Sequence, residues 1–121
     1  MPDRIAGGND TAAIVGLTAV LTAKIEAGVW PDKARWTECV DVGRPEECSL
    51  VWATDSNRFI CEYVLKSKVK GQELNGTYFE GAKPIIEVQI AKGGVRLAAW
   101  INALAAKAAE REQDSLMEVE L

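Results

Sequence analysis

Apolar residues recur at spacings of three and four along three stretches of the chain, the period of a helix with one buried face. In "GGNDTAAIVGLTAVLTAKIEAGVW" the positions Ile14, Leu17, Leu21 and Ile25 make one stripe; Asn9, Asp10 or Thr11 serves as N-cap and Gly28 as the stop, which predicts a helix over about 10–27. "WPDKARWTE" predicts a short helix over 32–38 with Asp32 near its start, and Val40 to Pro45 reads as a loop bounded by Gly43 and Pro45. A second long helix is predicted over about 46–66, with Cys48, Trp52, Phe59 and Tyr63 on one stripe and Val51 and Val64 beside it. Asp55 interrupts that stripe. Either its carboxylate points towards whatever the aromatics pack on, or it stands at the edge and reaches solvent.

"KSKVKGQELNGT" reads as a loop, after which Phe79, Ala82, Ile86, Ile90, Leu97, Ile101 and Leu104 predict a third helix over about 78–107, with Pro84 in its first turns. Gly93 and Gly94 fall in the middle of this run, where each costs roughly 1 kcal/mol relative to alanine. Either the helix kinks there or another element comes close. Arg96 follows among apolar neighbours, and an unpaired charge left from a buried pair costs about 3–5 kcal/mol. Asp55 is the expected partner, with solvent exposure through a kinked face as the alternative. The acidic end "AAEREQDSLMEVEL" is expected to fray. No strand pattern competes with helix, so the fold class is all-α, one domain over 1–107 with a tail at 108–121.

Composition narrows the function. The 121 residues are 48% hydrophobic and 26% charged, values of a globular domain. A net charge of -4 without a Lys or Arg run argues against a free-standing, charge-driven nucleic-acid binder. Histidine is absent, which removes the commonest metal ligand and the commonest neutral-pH base, and with them most hydrolytic mechanisms for this chain acting alone. No apolar run is long enough to span a membrane, and Met1 to Asn9 lacks the pattern of a signal peptide.

Three cysteines are an odd number. Cys39 and Cys48 are spaced for a local disulfide if the compartment oxidises, whereas Cys61, on a helix expected to be mostly buried, reads as a small hydrophobe. Asn9 in "NDT" and Asn75 in "NGT" are candidate glycosylation sites. Asp55 and Glu87 are the carboxylates available for acid/base work, but nothing in their spacing puts them on opposite sides of a substrate. Trp52 and Trp100 belong to helix stripes and read as core; Trp30 and Trp36 flank the short helix and read as its clamp.

"VWATDSNRFIC" and, after a loop, "GTYFEGAKPIIEVQIAKGGVRLAAWIN" resemble the closing helices of the zinc-dependent single-strand nucleases of the S-one/P-one type, which share their fold with bacterial zinc phospholipase C. The opening "MPDRIAGGNDTAAIVGLTAVLTAKIEAGVW" resembles the segment after the last metal-binding motif of those enzymes, so the likeness covers the chain to about Ala105. The resemblance implies a secreted, all-helical parent that uses three zinc ions to hydrolyse single-stranded DNA and RNA to 5'-nucleotides, with 3'-nucleotidase activity. It implies that the ligand-bearing N-terminal half, including a His-x-x-x-Asp motif, belongs before Met1. It also implies that Cys61 is bridged to an upstream cysteine and that Asp55 and Arg96 lie in the scaffold, behind the metal ligands. No cofactor is expected for this chain alone, which should be inactive and should self-associate. The rival reading is a non-enzymatic helical binding or regulatory module derived from the nuclease tail. A phospholipase-like esterase is the third reading, since the substrate pocket belongs to the other half.

Overall fold

A computed structural model describes residues 10–66, 74 and 76–120. Its elements are all helical: α1 (Asp10–Glu26), a 3₁₀ segment (Lys33–Thr37), α2 (Pro45–Phe59), a π-helical turn (Ile60–Val64) and α3 (Thr77–Glu120). The fold among the described residues is therefore all-α, as the periodicity predicts.

Each element begins or ends where local chemistry directs. Gly28, at φ 72°, ends α1; its N–H bonds the Ile25 carbonyl at 3.2 Å and that of Val29 bonds the Lys24 carbonyl at 3.1 Å, the paired bonds that satisfy a helix's last carbonyls. α2 opens with Pro45, whose missing N–H costs nothing in a first turn, and with Glu46 and Glu47 towards the positive end of the helix dipole. The π-helical turn after it sets Tyr63 so that its hydroxyl donates to the Tyr78 carbonyl at 2.6 Å, joining the end of this helix to the start of α3. Gly81 is needed at that junction, since a Cβ there would lie 3.1 Å from Tyr63 Cζ and closer still to the hydroxyl.

α3 is the spine. Its 44 residues span ~66 Å, and α1 and the 3₁₀ segment pack directly upon it. The helix extends beyond its predicted end near Lys107 to Glu120, through a segment that contains strong helix formers and neither Gly nor Pro to stop it. Pro84 lies two turns inside the helix. α3 also passes unbroken through Gly93 and Gly94, and a Cβ on either would meet nothing within 4 Å. The pair therefore neither breaks the helix nor makes room for another element among the described residues.

The largest departure from expectation is the direction in which α3 faces. Of the stripe that reads as core, Phe79, Ala82 and Ile86 are half-buried, whereas Ile90, Leu97, Ile101 and Leu104 are 45%, 60%, 54% and 49% exposed, while Ala91 and Lys92 are buried. α3 turns Lys92 and Arg96 inward to Asp55, and the later part of its apolar stripe is left largely exposed, with Ile90 lining a groove beside α1 and Leu97 a cleft beside α2. Few apolar side chains among the described residues are buried: Leu21, Trp36, Cys48 and Ala91.

Candidate functional site

The inward face of α3 carries Lys92 and Arg96, four residues apart and so on the same side of the helix. Both converge on one carboxylate. Asp55 Oδ2 accepts from Lys92 Nζ at 2.9 Å and from Arg96 Nη2 at 3.0 Å, and Arg58 Nε stands 3.5 Å from Oδ1. Arg96 Nε also donates to the Trp36 carbonyl at 2.9 Å, so a single guanidinium ties α2, α3 and the 3₁₀ segment together. The Arg96 guanidinium lies 5.7 Å from the centre of the Trp52 ring, and Lys92 Nζ lies 6.0 Å from that of Trp36. Trp36 is in turn held by its indole N–H, which donates to Asp32 Oδ2 at 3.2 Å, and by Trp30 at 5.8 Å between ring centres.

Burial pushes the Asp55 carboxyl up, but the hydrogen bonds and charges of Lys92 and Arg96 outweigh it and hold the group below its ordinary value. Glu87 is also held low, first by the hydrogen bond from Lys24 at 2.7 Å, which clamps α1 to α3. The two carboxylates thus answer to different cations. Both are ionised at neutral pH, and their arrangement serves as two struts rather than as an acid/base pair.

Beside the Asp55 cluster, α2 and α3 enclose an open cleft of about 500 Å³ between Ser49, Trp52 and Ser56 on one wall and Gln89, Gly93 and Trp100 on the other. Trp52 and Trp100 meet edge to face at 5.7 Å, and Gln89 Nε2 donates to Ser56 Oγ at 3.2 Å.

The structure brings Asp55 and Arg96 together. Sequence reasoning missed Lys92, although its place one turn before Arg96 was the signal, and missed the Trp36 carbonyl, a backbone acceptor that no residue type marks. Cys39 and Cys48 are joined by a disulfide, with Cys48 wholly buried. Cys61 corrects the expectation of burial: it is free and exposed. It stands two residues from both Phe59 and Tyr63, and residues two apart on a helix face away from each other. Asn9 and Asn75 lie outside the described residues.

The sequence has no histidine, and among the described residues no three Cys, Asp or Glu side chains gather as a ligand set. No helix of the described residues is long and apolar enough to cross a membrane.

Residues 1–106 match the family described as S1/P1 Nuclease, and the chain belongs to that family. It is 33% identical to Nuclease S1 of Aspergillus oryzae over 111 residues, which cover 88% of this chain and 39% of that protein. It is 32% identical to Nuclease P1 of Penicillium citrinum over 106 residues, 84% of this chain and 39% of the relative, and 35% identical to Endonuclease 1 of Arabidopsis thaliana over 83 residues, 68% and 26%. The chain thus spans about two-fifths of the length of the fungal relatives it matches. No solved structure matches it.

Proposed function

We propose that this chain is the C-terminal, scaffold-forming portion of a zinc-dependent endonuclease and 3'-nucleotidase that hydrolyses single-stranded DNA and RNA to 5'-nucleotides. The observation that carries the reading is the family match over residues 1–106 by a chain that spans only 39% of its fungal relatives. The absence of histidine supports a reading in which the metal ligands are supplied by protein outside the chain. The exposed Val15 and Val20 of α1 support further protein covering this portion. In this reading the Asp55 clamp fixes the helices against which the ligand-bearing part is built, the parent is secreted, and Cys61 pairs with a cysteine of that part.

The test is to express the longest reading frame that contains this chain, measure bound zinc, and assay single-stranded DNA and a 3'-nucleotide. Stoichiometric zinc and cleavage of both are expected, with neither found for residues 1–121 alone. A long product that binds zinc yet leaves both substrates intact would overturn the nuclease reading, and hydrolysis of a phospholipid in their place would favour the esterase.

A further inference from the structure

The two ends of α2 are fastened to α3 in different ways. From Trp52 onward the ties cross the cleft directly: Trp52 meets Trp100, Asp55 binds Lys92 and Arg96, and Ser56 accepts from Gln89. The first two turns, whose Pro45 and Ser49 line the same cleft, have no such ties. Ser49 donates to the Pro45 carbonyl at 2.7 Å, Arg44 pairs with Asp41 and Glu47, and among the described residues no hydrogen bond or ion pair of 45–51 reaches α3. This end of the helix is joined to the body through its disulfide. Wholly buried Cys48, in the first turn, is bonded to Cys39, two residues past the 3₁₀ segment, and that segment packs directly on α3 and gives Arg96 its Trp36 carbonyl.

From this we infer that the Cys39–Cys48 bridge is a redox latch on the α2–α3 cleft: oxidised, it holds the first two turns of α2 against the body; reduced, it lets them swing outward about the Asp55 clamp. A small thiol supplies the chemistry. Its thiolate attacks Cys39 Sγ, since Cys39 is half-buried and Cys48 is not accessible, and the S–S bond breaks to release Cys48 as a thiolate at the positive end of α2. A second thiol then displaces Cys39 from the mixed disulfide; both cysteines end protonated, and the reductant leaves as its own disulfide. The inference stands apart from the nuclease reading, because the latch works without zinc or nucleic acid.

Hydrogen exchange of the indole N–H groups tests it, followed by NMR in the full chain carrying Cys61→Ser, so that the exposed third thiol cannot rearrange the bridge. The Trp52 indole nitrogen is sealed from solvent and should exchange slowly in the oxidised chain. After reduction with dithiothreitol it should exchange about tenfold faster or more, as expected when a cross-link no longer limits a local opening. The Trp36 indole, bonded to Asp32 on the 3₁₀ side of the bridge, should keep its rate, as should the α3 amides around Ala91 and the helicity by circular dichroism. Cys39→Ala/Cys48→Ala should match the reduced chain without reductant, and reoxidation of the reduced chain should restore the slow rate. Trp52 exchange that is indifferent to reduction, or a double variant that stays slow, would overturn the latch. Equal acceleration at Trp36 or a loss of helicity would overturn it too, since the bridge would then support the whole fold rather than one end of α2.

Discussion

Asp55 accepts from two cations that have almost no water to turn to: the side chains of Lys92 and Arg96 are only 7% and 11% exposed. Replacing Asp55 by Asn should therefore cost about 3 kcal/mol of stability, read as a lower urea midpoint, because two charges lose the group that offsets their burial. The same clamp sets an acid limit. Asp55 and Glu87 titrate below their ordinary values in the folded chain, so the unfolded chain binds protons first as pH falls. Their contribution is whole above the ordinary carboxylate range near about 4 and is lost as pH drops through the lowered folded values. The melting temperature should stay level from neutral pH down to that range and then fall, with a shallower fall in Asp55→Asn; an equally steep fall in the variant would show that other groups govern the acid limb. At Gly81 the ordinary rule for helices reverses. Alanine there should destabilise, in spite of its helix propensity, because its Cβ would displace the Tyr63 hydroxyl from the Tyr78 carbonyl.

At the scale of the element, the two open glycines of α3 behave in the opposite way. Gly93→Ala gains helix propensity without meeting another atom within 4 Å, so it should raise stability by about 1 kcal/mol in thermal melts. A fall would mean that close packing at that site had been missed. The Cys39–Cys48 bridge closes a short loop of sequence separation 9 between the 3₁₀ segment and α2. Replacing both cysteines by serine should cost about 2–4 kcal/mol, seen as a lower melting temperature than that of the oxidised parent, and adding reductant should lower the parent to nearly the same value. α3 also shows how periodicity can mislead. The 3.6-residue period is a property of one helix and correctly announces an apolar face, but it does not say whether that face looks towards the chain's other helices or away from them.

At the scale of the molecule, α3 reaches past every element that packs on it. Residues beyond Ala108 touch little, and Leu116, Met117 and Val119 are 62%, 60% and 83% exposed. Deleting 109–121 should take away helicity by circular dichroism and shift the melting temperature by no more than a few degrees. A large drop would mean that the tail packs on the body.

The amino-acid sequence by itself determined the elements, because helix starts, stops and stripes are local: Gly28 ends α1, Pro45 opens α2, and the period sets α3. It also determined the family, through motifs that run from the first helix to Ala105, and it paired Asp55 with Arg96 because a buried charge demands a partner. Only the tertiary structure decided that Lys92 shares that carboxylate, that the Trp36 carbonyl is the guanidinium's second acceptor, that Cys61 faces outward, and that the later part of the long helix's apolar stripe is largely exposed. The physical reason is the same in each case. Contacts across helices depend on how each helix is rotated about its axis. Here the rotation of α3 that brings two buried cations to Asp55 leaves the later part of the apolar stripe largely exposed.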